Sequence, residues 1–242
     1  MKKPKVIILC GGKGRRLRPL TKSIPKPLIY LNGKPLLQHI IESYQKQNLN
    51  DFILCTGYRS QDIEAFIENS KFKAEIEISN LGEDASMLER LYQVRHLIDE
   101  RAIVTYGDTY TDLDAQNLLN FHLKKEAMLT IITAEIQSPF GIITQNPEGK
   151  LTSFNEKPVF SYYIGSFLVE KKVLDFIPPE LLKEEDGNGL VRFFKMLIQK
   201  NNICAYSHSG LQLTFNTADE HRKAETHFMK FFTDSERVYG LF

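Results

Sequence analysis

The chain has 242 residues, 42% of them hydrophobic and 25% charged, which is ordinary globular composition and enough length to bury a sizeable core. A formal net charge of +1 argues against a dedicated nucleic-acid binder, and three scattered cysteines, Cys10, Cys55 and Cys204, argue against a disulfide framework or zinc ribbon and for a reduced, cytoplasmic setting. The longest apolar run near the start, VIILC, is too short for a secretion signal or a membrane span.

Residues 5–10, KVIILC, form the short continuous apolar run expected of a buried parallel strand. A loop of Gly, Lys, Arg and Pro follows. Residues 35–47 place Leu36, Leu37, Ile40, Ile41 and Tyr44 on one helical stripe. Residues 51–55 read as the next strand, closed by Thr56-Gly57, and 61–69 as a helix carrying Ile63, Phe66 and Ile67. A strand near 75–79 leads into NLGEDAS, after which Met87, Leu88, Leu91, Val94 and Ile98 form another stripe. AIVTY is a strand that runs into Gly107-Asp108. Beyond it, a helix around 114–125 precedes four β-like stretches, MLTIITAEI, FGIITQ, LTSFNEK and YYIGSFLVE, with NPEG as a hairpin turn. Helices return at 190–200 and 217–232, the last opened by a capping box of Thr217 and Glu220. This alternation predicts an α/β chain with a Rossmann-like, mostly parallel mixed sheet flanked by helices. One domain over residues 1–242 is expected, with a first half to residue 112 and a mixed half from 113.

Charge is distributed unevenly. Residues 1–41 contain ten Lys or Arg and no acid; the first is Glu42. Lys2, Lys3 and Lys5 read as a solvated tail. Lys13, Arg15, Arg16, Arg18, Lys22 and Lys26 instead crowd among glycines and prolines, and such a cluster attracts an anion. Strand KVIILC followed by GGKGRRLRPLTKSIPKPL lets backbone N–H groups line up on phosphate oxygens, because glycine admits a ligand to the main chain. It is not a P-loop, since no Gly-Lys-Ser/Thr follows. It is not a dinucleotide fingerprint either. Leu17 stands at the third glycine position, and the second strand ends in Thr56-Gly57 without a ribose-binding acid.

The stretch resembles the signature GGxGxRLxPLTxxxPKPL of the sugar nucleotidyltransferases, with every fixed position present. The resemblance covers most of the chain. NGKPLLQHII, TGY, YGD at 106–108, FG at 140–141 and EKP at 156–158 fall in the family's order. TYGDTYTDLD, Phe121-His122, FNEKP and FNT at 215–217 resemble the branch that transfers cytidylyl groups to glucose 1-phosphate. The resemblance implies the nucleotide-diphospho-sugar transferase fold, a first half (1–112) that binds nucleotide and a second (113–242) that binds the acceptor. It implies Mg²⁺-dependent attack of an acceptor phosphate on the α-phosphorus of a nucleoside triphosphate, with release of pyrophosphate.

In that reading Cys10, Gly11, Gly12, Gly14, Arg16, Ser86 and Asp108 line the nucleotide, and Arg16, Lys26 and Asp108 carry the chemistry. Arg16 would grip the β- and γ-phosphates with its planar fork. Lys26, between Pro25 and Pro27, would touch the α-phosphate from a preset backbone. Asp108 would hold Mg²⁺, and Asn216, where many relatives carry a second Asp, would offer a carbonyl oxygen. Lys157 would contact the acceptor phosphate and Glu156 its hydroxyl or amine groups, while Gly141 and Gly165 complete the acceptor side. Asp112 and Asp114 read as helix-start residues, and His221 and His227 as surface residues.

Two positions depart from the glucose 1-phosphate branch. Met87-Leu88-Glu89 replaces its Thr-Gly-Gly before Arg90-Leu91. DASMLERL is instead similar to the serine-containing loop of phosphocholine cytidylyltransferase-like enzymes, in which Ser86 and adjacent backbone would read the base; cytosine, hence CTP, is the favoured choice. Ile164 stands where hexose-specific relatives usually carry Asn, so phosphocholine, an aminoalkyl phosphate or a phosphoramidate such as phosphoglutamine are candidate acceptors beside a sugar 1-phosphate. A hexose 1-phosphate enzyme using another triphosphate, and a non-catalytic regulatory domain of this fold, remain open at this point. No nucleic-acid or membrane partner is expected; a homo-oligomer is left open.

Overall fold

In the computed structural model, which describes residues 2–239 and side chains as far as Phe228, strands and helices alternate up to residue 106. β1 (Lys5–Leu9) is followed by three short 3-10 turns, a small hairpin of β2 (Tyr30–Leu31) and β3 (Lys34–Pro35), and α1 (Leu36–Gln45). Then come β4 (Asp51–Thr56), α2 (Ser60–Asn69), β5 (Glu75–Asn80), α3 (Met87–Val94) and β6 (Arg101–Tyr106). The second part comprises β7 (Thr109–Thr111), α4 (Ala115–Lys124), β8 (Leu129–Gln137), β9 (Ile142–Gln145), β10 (Leu151–Asn155) and β11 (Val159–Glu170). It ends with α5 (Lys171–Leu174), α6 (Pro179–Leu182), α7 (Asn188–Gln199), β12 (Ile203–Ser207), β13 (Gln212–Thr214) and α8 (Ala218–Tyr239).

Seven strands form one sheet in the order β12-β8-β11-β6-β1-β4-β5. The pairs β1–β4, β1–β6, β4–β5 and β8–β12 are parallel; β11 alone runs against its neighbours β6 and β8. β1 is apolar throughout because both of its faces are covered. Val6, Ile8 and Cys10 join α1, α4 and α8 in one core layer, while Ile7 and Leu9 join α3 and α7 in the other. The stripe of Leu36, Leu37, Ile40, Ile41 and Tyr44 is the buried face of α1, as its spacing predicts. From β1 the chain builds β4 and β5 on one side, then crosses to add β6 on the other. The strand order therefore reverses between β1 and β6, and the carboxyl ends of those two strands flank the crevice where open α/β sheets bind ligands.

The hairpin expected at NPEG is present: β9 and β10 pair antiparallel, and Asn146 closes the turn with its carbonyl, amide and side chain. Thr217 caps α8, accepting from the Glu220 amide at 3.2 Å, and the Glu220 carboxylate reaches back to the amide of Asn216 at 2.6 Å. Several elements leave little trace in sequence. β7 and β13, which pair with each other, are three residues each and too short for any periodicity; β12 is half-buried and joins the sheet edge through β8.

Candidate active site

The glycine loop leaves the carboxyl end of β1 and is held by its own carbonyls. The Leu17 amide and the Thr21 hydroxyl donate to the Gly14 carbonyl at 3.0 and 2.9 Å, the Tyr58 hydroxyl to the Thr21 carbonyl at 2.9 Å, and the Tyr58 amide to the Gly11 carbonyl at 3.2 Å. Gly14 has φ +56°, a left-handed conformation that favours glycine, and a Cβ there would lie 2.9 Å from the buried Thr21 methyl. From Gly12 to Arg16, no backbone N–H has an acceptor among the described residues. A Cβ at Gly12 would meet nothing within 4 Å, so the protein itself does not require glycine there. Unpaired amides in a tight turn make an anion-binding concavity.

Around this loop the cations divide. Leu17 is buried and pins the turn, while Arg15, Arg16 and Arg18 are exposed. Arg16 has no acidic partner among the described residues. Lys13 is engaged with the opposite wall, 3.0 Å from Asp84 and 3.5 Å from Glu83. Lys26 is different again. It lies in a 3-10 turn between two prolines, its side chain only 6% exposed, and its ammonium donates to Asp108 Oδ2 at 2.8 Å and Asn216 Oδ1 at 3.2 Å.

Asp108 follows β6 through Gly107, whose amide donates to the Leu9 carbonyl at 2.9 Å. This bond draws the ends of β1 and β6 together. A Cβ on Gly107 would lie 2.7 Å from Cys10 Sγ and 3.3 Å from Pro27, so only glycine lets the loop and the Asp108 turn approach so closely. Asn216 arrives from β13, which pairs with β7 just after Asp108. Its neighbour Phe215 is buried, with the Lys26 ammonium 5.5 Å from its ring centroid.

Asp108 and Asn216 thus direct oxygens at one cationic centre. Among the described residues there is no group of three or more His, Cys, Asp or Glu that could hold a metal ion. That donor set suits neither zinc nor calcium. One carboxylate and one amide oxygen do suit Mg²⁺, which keeps waters and completes its shell from substrate phosphates.

Several expected site residues sit otherwise than the sequence suggests. Cys10 has a buried side chain and its amide donates to the Cys55 carbonyl at 2.8 Å; burial pushes its thiol well above the usual range, so it is a core residue beneath the loop. Ser86 is buried and caps α3, accepting from the Glu89 amide at 3.1 Å and donating to the Leu182 carbonyl at 3.0 Å, so its hydroxyl is engaged within the fold. Asp114 caps α4 as expected, but Asp112 does not start a helix: it lies 3.0 Å from His208 Nε2, and this carboxylate raises the histidine's pKa. His221 is not simply a surface residue, since its Nε2 contacts the Tyr30 carbonyl at 2.7 Å and its ring braces Phe215 edge-on. His227 is exposed.

On the acceptor side, Gly141 and Glu156 are neighbours across the β9–β10 hairpin: a Cβ on Gly141 would lie 3.0 Å from Glu156 Oε2. Glu156 and Lys157 are exposed, and among the described residues no hydrogen bond joins Lys157 to the Lys26–Asp108 pair. Gly165, at φ +80°, lies in the bulge where β11 shifts register against β8, and a Cβ there would strike the Tyr106 ring at 2.9 Å. Tyr163 stands edge-on to Tyr106, and burial pushes its hydroxyl well above the usual range. Ile164 is buried among the core residues on the opposite layer.

Arg90 is the residue that the sequence reading passed over. It is 3% exposed and its guanidinium lies beneath the loop, donating to the Thr56 carbonyl and, at 2.6 Å, to the Gly82 carbonyl. Cβ atoms at Gly11 or Gly57 would lie within 2.5 Å of it, so both glycines make room for this cation. Desolvation lowers its pKa. The only clue in the sequence is the pair of glycines, Gly11 and Gly57, that follow the first two central strands.

Comparison with known proteins bears on the fold and the family. The family model described as nucleotidyl transferase matches residues 5–210. A Bacillus subtilis (strain 168) protein named "probable glucose-1-phosphate cytidylyltransferase" is 30% identical over 239 residues, covering 88% of this chain and 91% of the relative. A UTP–glucose-1-phosphate uridylyltransferase of Synechocystis sp. (strain ATCC 27184 / PCC 6803 / Kazusa) is 28% identical over 197 residues, covering 72% of this chain and 51% of that protein. In fold, the chain is similar to the crystal structure of HddC from Yersinia pseudotuberculosis complexed with GMP-PN, with a TM-score of 0.72 at 21% identity, covering 93% of this chain and 100% of that one.

Proposed function

The chain belongs to the nucleotidyl transferase family and is a nucleotidyltransferase; from that premise we propose that it transfers CMP from CTP to the phosphate of a small metabolite, with a sugar 1-phosphate as the leading acceptor. The observation that carries the reading is the meeting of Lys26, Asp108 and Asn216 at the strand-order reversal, beside a run of unpaired loop amides. An acceptor phosphate oxygen attacks the α-phosphorus in line; the new P–O bond forms as the bond to the β-phosphate oxygen breaks, and pyrophosphate leaves.

Two polyanions must approach, so repulsion and developing charge are the main barrier. Fixed cations and dipoles lower it because they are oriented before the reaction. The amides of Gly12 to Arg16 cradle the triphosphate tail, and the exposed Arg16 grips the outer phosphates. Lys26 turns its ammonium to the α-phosphate. Asp108 and Asn216 would hold Mg²⁺, which when bound neutralises phosphate charge and orients the reacting oxygens. Glu156 and Lys157 would meet the acceptor from the β9–β10 hairpin. Cytosine is favoured by the Bacillus relative and by the landmark motifs, while the Synechocystis relative is named for UTP.

A second acceptor reading rests on Ile164. Its buried, apolar side chain offers no amide to a sugar hydroxyl, which favours a non-sugar phosphate such as phosphocholine. A pyrophosphate-release screen with Mg²⁺, crossing four triphosphates with sugar and non-sugar phosphates, separates these readings. CTP gives the strongest signal, and Arg16→Ala, Lys26→Ala and Asp108→Ala each slow turnover about 100-fold or more. Turnover of Asp108→Ala close to that of the native enzyme would remove Asp108 from the chemistry.

A further inference from the structure

We propose that Lys26 guards the cation site: in the nucleotide-free enzyme its ammonium occupies the oxygen pocket of Asp108 and Asn216, and a divalent ion is admitted only after a triphosphate has drawn the lysine away. The proposal rests on the reading of Asp108 and Asn216 as ligands for that ion.

The position of Lys26 is built rather than incidental. Pro25 has φ −67° and ψ 144°, and the amides of Leu28 and Ile29 donate to the carbonyls of Pro25 and Lys26, so the backbone is held and movement is left to the side chain. With that side chain 6% exposed, water cannot satisfy the ammonium, and its two hydrogen-bond acceptors are the oxygens a metal ion would need. The Phe215 ring 5.5 Å away covers it and is itself wedged by His221. An ammonium and a divalent ion cannot share these oxygens, because like charges at contact distance repel strongly in a half-buried site.

A triphosphate changes the balance. The unpaired amides of Gly12 to Arg16 would seat its phosphates beside the turn that carries Lys26. An α-phosphate then offers the ammonium a charged acceptor in place of Asp108 and Asn216. Ion and nucleotide binding are therefore coupled, each favouring the other by the same factor. The arrangement keeps Asp108 neutralised between turnovers and prevents free divalent ions from occupying the site alone.

The test uses Mn²⁺ as probe, followed by the paramagnetic signal of the free ion, with the full-length chain and no nucleotide. The native protein should bind Mn²⁺ at Asp108 weakly, and Lys26→Met should tighten that binding at least tenfold. Lys26→Gln, which keeps a polar side chain without the charge, should also tighten it and serves if the methionine variant misfolds. Asp108→Asn in the Lys26→Met background should abolish the gain. Native protein that takes up Mn²⁺ at Asp108 as tightly as the lysine variants overturns the guard while leaving the metal site standing. Mn²⁺ binding that ignores Asp108 in every background, together with native-like turnover of Asp108→Ala, sinks the underlying reading instead.

Discussion

Replacing Gly107 by Ala tests how closely the two halves of the site are built. The backbone of Gly107 lies outside the left-handed region, so alanine can adopt it and the penalty is one of space. The added methyl would lie 2.7 Å from Cys10 Sγ, 3.2 Å from the Leu9 carbonyl oxygen and 3.3 Å from Pro27 Cγ. Cys10 is buried and cannot swing aside. Overpacking of this kind costs about 1–3 kcal/mol. At about 3 °C per kcal/mol for a chain of this size, the melting temperature falls by ~3–9 °C. Because Pro27 adjoins Lys26 and Gly107 adjoins Asp108, the displacement passes to the Lys26–Asp108 pair. Misplacement approaching 1 Å costs about 100-fold in rate. The expected kcat is about 10- to 100-fold below native in pyrophosphate release. Cys10→Ala in the same chain removes the shortest clash and should recover about half of the lost stability, with a coupling energy near 1 kcal/mol. A Gly107→Ala enzyme that melts and turns over like the native one, or strict additivity in the double variant, would refute the steric account.

Arg90→Met leaves the Thr56 and Gly82 carbonyls without their donor and should destabilise the fold by about 2–4 kcal/mol in urea titration; Arg90→Lys should recover only part of it, since an ammonium lacks the planar fork that reaches both. His208 has a raised pKa because Asp112 stabilises its charged form, so the pair's contribution is complete below the ordinary histidine value and disappears as pH rises through the raised one. The difference in melting temperature between native protein and Asp112→Asn should therefore be larger at pH 6 than at pH 9; a constant difference contradicts the pairing. Burial pushes the Cys55 thiol up to about 12 and the Cys10 thiol well above its usual value, whereas Cys204 is partly exposed. Iodoacetamide at pH 8 should add once to the native chain, at Cys204, by mass spectrometry, and three times in denaturant.

How much of the architecture was readable follows from where each signal resides. α1 and α3 announce themselves by stripes of apolar residues every three or four positions, and β1 by an unbroken apolar run, because each buries a face of its own. β7 and β13 could not be found this way. Three residues carry no period, and each exists only because the other lies beside it. Among site residues, the motif around the glycine loop marked Lys26 for attention, and YGD at the end of a strand marked Asp108. The capping role of Ser86 was not read, because a capping serine and a base-reading serine look alike in one dimension. Arg90 was passed over because nothing local distinguishes a buried guanidinium from a solvated one on an amphipathic helix.

From its sequence alone, this protein was determined to be a strand–helix alternation with a glycine- and cation-rich loop after its first strand, because apolar period, glycine placement and unbalanced charge are each written within some twenty consecutive residues. Only the tertiary structure decided which side chains share the site. Lys26 meets Asp108 across 82 positions and Asn216 across 190, and these encounters depend on the strand order reversing beside β1 and on β13 folding back along β7. Contacts between such distant residues are set by sheet topology and by close approaches such as that at Gly107, so no local window contains them.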